Sequence, residues 1–219
     1  MPDFIPYDSF VFAEAESLHR SRDYYEYMNM RRSIRTFSDK AVSREIVENI
    51  LMTASAAPSG AHKQPWTFCA VHRQDLKSEI RKAAEAEEYT NYHGRMSEDW
   101  LQDLVPFATD WQKPFLETAP WLIIVFKKAY DIDKAGKQHK NYYVTESVGI
   151  ACGFLLAAIH QAGLVSLTHT PSPMNFLQKI LNRPDNERPF LLLPIGYAAD
   201  NVEVPNIERK KAAEVIKWF

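Results

Sequence analysis

This sequence predicts an α+β or α/β domain. Apolar, strand-like runs stand at 66–71, 121–126, 164–167 and 190–197. Helical patterns lie between them, and no internal repeat or low-complexity stretch suggests another architecture. A length of 219 residues favours one compact domain over two. Hydrophobic residues make up 46% and charged residues 25%, with a net charge of -2. That balance argues against a broad nucleic-acid or anionic-membrane surface, so any anion site must be local.

Taken in order, residues 1–21 read as an extended arm with short helical pieces, alternating acids with aromatics. They hold no basic stretch followed by an apolar core, so no secretory leader is expected. Asp23 to Met30 predicts a short aromatic-rich helix. Ser43 suits an N-cap, and Ile46, Val47, Ile50, Leu51 and Ala54 give the helix behind it one apolar face. Pro58, Ser59 and Gly60 punctuate the chain before the strand Trp66 to Val71. Asp75 is expected to cap a charged helix through Leu76, Ile80 and Ala84 towards Glu88. From Tyr89 to Lys113 no period holds, and a segment this long without a pattern predicts a lid, bounded here as 88–113.

Trp121 to Phe126 is continuously apolar and predicts a strand buried on both faces. Lys127 to Lys140 is lysine-rich and reads as an exposed loop. Asn141 to Ala162 predicts a helix apolar nearly all round, which must be buried in a core or against a second subunit. Its Gly149 and Gly153, four apart, permit close helix approach, and Gly163 ends it. The densest apolar part, 148–159, is about half the length a bilayer span needs, so no membrane span is expected. Leu164 to Leu167 predicts a strand, Asn175 to Leu181 a helix, and Phe190 to Tyr197 a strand. Residues 205–219 form a C-terminal extension whose Val215, Ile216, Trp218 and Phe219 are expected to pack on something, such as a partner subunit. Cys69 and Cys152 read as buried thiols, which fits a reducing, cytoplasmic compartment.

The chemistry concentrates at Arg31, Arg32, Ser33 and Arg35. A guanidinium presents a planar fork of donors that matches phosphate or carboxylate, so the cluster suits a phosphate. On its own it would also read as a solvated basic turn. The seven histidines show no metal-ligand spacing with cysteine. No glycine-rich phosphate loop or G-x-G-x-x-G is present, and no hydroxyl sits in a nucleophile elbow.

The arginine cluster, followed by a helix and by Ala57-Pro58-Ser59-Gly60-Ala61-His62 before Pro65-Trp66, resembles the nitroreductase superfamily of flavoproteins. Three further features resemble its iodotyrosine deiodinase branch. They are Glu87-Glu88 with Asn91-Tyr92 and Trp111-Gln112-Lys113; Ile150-Ala151-Cys152-Gly153 leading to Ala162-Gly163-Leu164-Val165; and Thr168-His169-Thr170-Pro171. The resemblance runs from about Arg31 to Lys211. It implies an α+β, nitroreductase-like fold, with a mixed, mainly antiparallel sheet flanked by helices in an intertwined homodimer.

By matching position, the resemblance implies that Arg31, Arg32, Ser33 and Arg35 hold FMN, with Arg209 reaching it from the tail. Ser59 and Gly60 would line the cofactor, the glycine letting backbone approach the ring. Thr168, His169 and Thr170 would cover it, with the Thr170 hydroxyl near N5 as the catalytic group favouring one-electron chemistry. For a halotyrosine, Glu88 would accept the ammonium, Tyr92 and Lys113 would donate to the carboxylate, and the Ala61 N–H would meet the phenolate. Such charge-assisted bonds under a lid are worth roughly 1.5–3 kcal/mol each. The implied reaction is reductive dehalogenation to tyrosine and halide, with reduced nicotinamide, NAD(P)H, or a reductase as electron source. Two alternatives stand beside it: a general NAD(P)H-dependent nitroreductase or quinone reductase, and a carrier or sensor that binds FMN or an amino acid without turnover.

Overall fold

The computed structural model describes residues 3–219, so the first two residues of the expected arm lie outside it. By backbone proximity the chain falls into two units, Met1–Arg31 and Arg32–Phe219.

The first unit holds one helix, α1, Glu14–Asn29. It starts well before the expected Asp23, a correction to the arm predicted through Ser21. Two acids, Glu14 and Glu16, occupy its first turn, where the helix dipole favours negative charge. Pairs four apart then carry the helix across the expected break: Arg20 with Glu16 at 2.6 Å, and His19 with Asp23 at 3.3 Å.

The second unit opens with α2, Arg44–Ser55, where the Ser43 hydroxyl accepts from the Ile46 N–H at 3.4 Å and so caps the helix. The strand β1, Trp66–Val71, follows, then α3, Gln74–Thr90. The N-cap of α3 is Arg73; Asp75 lies in the first turn instead, paired with the Arg73 guanidinium. The expected lid is mostly helical. It holds a π-turn at Asn91–Arg95, α4 at Glu98–Leu104 and a 3-10 turn at Val105–Phe107. A short α5, Phe115–Thr118, leads into β2, Trp121–Lys128.

The lysine-rich stretch expected as a loop is a hairpin, β3 Tyr130–Ile132 with β4 Gln138–Lys140. The Asp133 carboxylate accepts from the N–H groups of Ala135 and Lys137, both at 2.9 Å, and Gly136 takes φ 79, so the turn is built locally. Then come α6, Val144–Gln161, β5, Val165–Ser166, α7, Asn175–Ile180, β6, Glu187–Gly196, and a short α8, Ala212–Val215. Gly163 takes φ 70 just past α6.

The sheet runs β1-β2-β6-β5 with antiparallel neighbours throughout, and one parallel bridge, Ser33 to Ser166, makes it mixed at the β5 edge. Alternation along β2 buries both faces. Ile123 and Val125 pack with Val47 and Ile50 of α2 and with Val148, Leu155 and Ile159 of α6. Leu122, Ile124 and Phe126 pack with Ile80 and Ala84 of α3, Leu116 of α5 and Leu177 of α7. Burial of each such aliphatic side chain contributes about 1.5–3 kcal/mol. This accounts for the unbroken apolar run: three layers leave β2 no solvent face.

By length and composition α6 could cross a membrane, but Val148, Ala151, Cys152, Leu155 and Ile159 belong to the core. The opposite face, Gly149, Ile150, Gly153 and Phe154, is exposed in the protomer. Cys152 is buried, whereas Cys69 is only half-buried, and both thiols are free.

Candidate active site

Two carboxylates on one face of α3 organise the site. Glu85 accepts from the Lys113 backbone N–H at 2.7 Å and from the Arg81 Nε at 2.8 Å. One turn on, Glu88 reaches the Lys113 side chain, with Oε2 and Nζ 3.8 Å apart. The helix therefore fixes Lys113 at both its backbone and its ammonium. Lys77, itself buried, strengthens the arrangement by donating to the Glu117 and Ala119 carbonyls at 2.8 and 2.9 Å, which holds α5 just beyond Lys113.

Glu88 and Lys113 are 7% and 4% exposed, so water does little to stabilise either charge. Burial pushes the Glu88 carboxyl up and the Lys113 ammonium down, and each partly restores the charge of the other. The Lys113 ammonium also donates to the Asp110 carbonyl, and to Thr109 Oγ1 at 3.3 Å. Tyr92 follows four residues after Glu88, in the π-turn. Its hydroxyl donates to the Thr109 carbonyl at 3.3 Å, and Lys113 Nζ stands 5.4 Å from its ring centroid. Burial, then the Glu88 charge, raises the Tyr92 phenol above its ordinary value, so it remains a donor.

Glu88, Tyr92 and Lys113 line a cavity of about 200 Å³ together with Arg35, Thr168, His169 and Thr170. His169 exchanges backbone hydrogen bonds with Leu192 at 2.8 and 3.1 Å, an extension of the sheet. Strand alternation leaves Thr168 and Thr170 exposed and turns the imidazole inward against Phe115. Its Nε2 is buried without a hydrogen-bond partner. Burial, and then the charges of Lys113 and Arg35, push its pKa down to about 3, so the ring is neutral. A larger cavity of about 480 Å³ between α2 and β1 is lined mainly by apolar side chains and holds none of these groups.

Of the expected residues, Glu88, Tyr92, Lys113, Arg35, Thr168, His169 and Thr170 meet at this cavity. Ser59, Gly60 and Ala61 lie elsewhere in the protomer, on the turn Gly60–His62 against the start of α6. There the Gly60 N–H donates to the Ser147 hydroxyl at 3.3 Å. A Cβ on Gly60 would meet Tyr143 Cδ2 at 3.0 Å and the Tyr142 carbonyl at 3.2 Å, so glycine here answers to that loop. Ala61, His62 and Gln64 all take positive φ, 48, 54 and 46, a strained arrangement of the kind held at functional turns. Arg32 donates to the Pro205 carbonyl, which ties the cluster to the C-terminal extension, and Ser33 bridges to Ser166. Arg31 ends the first unit, and Arg209 is exposed in the extension.

Sequence reading assigned no role to Glu85 or Asn91. Their signal was available: Arg81, Glu85, Glu88 and Tyr92 follow helical spacing along one face, with Asn91 beside them. The Thr109 and Asp110 carbonyls had no signal, because any residue supplies a carbonyl.

The model of the Nitroreductase family matches residues 28–197. The chain belongs to the nitroreductase family. Iodotyrosine deiodinase from Haliscomenobacter hydrossis is 64% identical over 215 residues, covering 98% of this chain and 97% of that one. Iodotyrosine deiodinase 1 from Homo sapiens is 42% identical, covering 98% of this chain and 74% of its own. Among solved structures, oxidized iodotyrosine deiodinase bound to FMN and 3-iodo-L-tyrosine superposes with a TM-score of 0.76 at 32% identity, over 90% of this chain and 98% of that one. A nitroreductase from Bacteroides fragilis with bound FMN has a TM-score of 0.66 at 20% identity, a likeness of fold within the nitroreductase family.

Proposed function

We propose that this chain is an FMN-dependent oxidoreductase that reductively dehalogenates halotyrosines. The observation that carries the reading is the buried Glu88 and Lys113 pair beside Tyr92, in one cavity with the Thr168–Thr170 edge. Its support is a 64% identical relative named iodotyrosine deiodinase.

The donor set fits FMN: guanidinium groups for the phosphate, hydroxyls for a polar ring edge, and a buried imidazole nitrogen with no partner. Arg31, Arg32, Ser33 and Arg35 would hold it, with Ser59, Gly60, Thr168, His169, Thr170 and Arg209. Bound FMN supplies the reducing equivalents, which come from reduced nicotinamide or a reductase. The carbon–halogen bond breaks, the halogen leaves as halide with the bonding electrons, and hydrogen takes its place at the cost of two electrons and a proton. Glu88 accepts the substrate ammonium, and Lys113 and Tyr92 donate to its carboxylate. The Ala61 N–H meets the phenolate, and the Thr170 hydroxyl donates to the ring edge. The segment 88–113 covers the site and keeps water from it.

The reading includes a homodimer. It is supported by the open α6 face of Gly149, Ile150, Gly153 and Phe154 and by exposed Trp218 and Phe219 in the extension. The Ser59–Ala61 turn, remote from the cavity in one protomer, would then serve a site completed by its partner. We read the chain as a single FMN domain working in the cytoplasm, where its free thiols persist.

The test is anaerobic. The yellow protein is reduced with dithionite, freed of excess reductant and mixed with diiodotyrosine, while flavin reoxidation, iodide and tyrosine are followed. Iodide release in step with reoxidation is expected. Fast reoxidation by a nitroaromatic with none by diiodotyrosine would make the protein a general reductase. Reoxidation by neither would leave a flavin carrier.

A further inference from the structure

Two side chains of the lid converge on a single carbonyl beyond the Thr168–Thr170 segment. Asn91 Nδ2 donates to the Ser172 carbonyl at 3.1 Å, and Arg95 Nη1 donates to the same oxygen at 3.3 Å. Arg95 also reaches Asn91 Oδ1 at 3.4 Å and pairs with Glu87 at 2.7 Å. Asn91 is 7% exposed, although it sits where α3 gives way to the π-turn, and its own carbonyl accepts from the Met96 N–H at 2.9 Å. A side-chain amide buried this fully needs hydrogen-bond partners, and Asn91 finds its acceptor in the Ser172 carbonyl.

What it holds is defined by the other anchor. His169 is fixed to β6 through both backbone bonds to Leu192. Thr170 therefore stands between two attachments, the rigid sheet at His169 and the lid at Ser172. On the lid side, Asn91 lies three residues after Glu88 and one before Tyr92, within the turn that would grip the amino-acid head. A ligand that draws on Glu88 and Tyr92 moves or stiffens the turn carrying Asn91.

We infer that Asn91, assisted by Arg95, is a positioning residue that couples occupancy of the amino-acid subsite to the placement of Thr170. It acts through the Ser172 carbonyl, from the wall of the same cavity. The inference rests on the halotyrosine reading and deepens it. The lid then does two things: it covers the site, and it reports the amino-acid head to the hydroxyl at the cofactor edge. A flat aromatic without that head leaves the strut unloaded.

Hydrogen exchange of the oxidised, FMN-loaded protein, with and without saturating monoiodotyrosine, tests the coupling. In the wild type, ligand is expected to slow exchange in 88–113 and at the Thr170 and Ser172 amides, the latter by about three- to tenfold, the scale of one hydrogen bond. In Asn91→Ala the slowing in the lid should persist while that at Thr170 and Ser172 is lost. Arg95→Ala changes a half-exposed side chain and should lose part of it; this variant decides the matter if Asn91→Ala does not fold. Full ligand-dependent slowing at Thr170 in both variants overturns the coupling. So does an Asn91→Ala protein whose Thr170 exchange rises equally with and without ligand, because that is plain packing. A wild-type lid that shows no response to monoiodotyrosine defeats the halotyrosine reading itself, and the coupling with it.

Discussion

Replacing His169 by glutamine removes a buried imidazole whose neutrality the fold enforces. Its ring packs edge-on to Phe115 at 5.8 Å between centroids, and the charges of Arg35 and Lys113 oppose protonation from the cavity side. The folded protein holds the pKa at about 3, whereas an unfolded histidine titrates near 6.5. As pH falls below 6.5 the unfolded chain takes up a proton that the native state refuses, so stability is complete above that point and declines towards pH 3. Each pH unit in this window costs about 1.4 kcal/mol for one proton. From pH 6.5 to pH 5 the loss is therefore roughly 2 kcal/mol. Backbone bonds to Leu192 keep the segment in place after substitution, and glutamine does not titrate. Denaturant unfolding at pH 7 and pH 5, at one protein concentration, isolates the effect: carboxylates act in both proteins, so only the difference counts. The wild type should lose about 2 kcal/mol more than His169→Gln on acidification. Equal losses within about 0.5 kcal/mol would refute a buried, neutral imidazole.

Glu88→Gln should weaken halotyrosine binding by about 1.5–3 kcal/mol, one charge-assisted bond, with FMN content unchanged; titration of the oxidised protein measures both, and an unaltered affinity removes Glu88 from the site. Arg35→Ala should lower FMN occupancy, read as flavin absorbance per protein, and a fully yellow variant contradicts its role. Gly196→Ala places a Cβ 2.5 Å from Pro120 Cδ and 2.8 Å from Cγ. Neither strand nor ring can yield easily, so thermal unfolding should report a loss of about 1–3 kcal/mol.

The sheet was legible where one physical rule dominated. Trp66–Val71 shows the run of aromatic and β-branched residues of a strand, and Ser43 is one of the few residue types that cap a helix. The β3–β4 hairpin was not legible, because each strand is only three residues long and β4, Gln138-His139-Lys140, carries no apolar residue, so only the Asp133–Gly136 turn remained to be read. The start of α1 was missed because Glu14, Glu16 and His19 look like a polar arm until their pairs are seen at helical spacing. The candidate residues of the lid were named by family resemblance, whereas their meeting is a tertiary fact. Lys113 lies 25 residues from Glu88 and is brought back by Glu85, whose carboxylate in an acidic run reads as a solvated helix end.

That meeting also changes how selectivity must be argued. Taken singly, Glu88 and Lys113 would each be left without a counter-charge by a neutral acceptor. In the fold the two are each other's counter-charge, 3.8 Å apart and almost fully buried. Drawing one away without replacement strands the other, at about 3–5 kcal/mol for a buried pair. A ligand with a single charge offers only half of the exchange, and an uncharged ring offers none. An amino-acid zwitterion brings both signs at the spacing of one carbon atom, so Glu88 can turn to the ammonium and Lys113 to the carboxylate with neither left uncompensated. On the proposed reading, selection for an amino acid arises from a matched exchange of ion pairs, and the flat surface of a cofactor, open to any aromatic, has no need to discriminate.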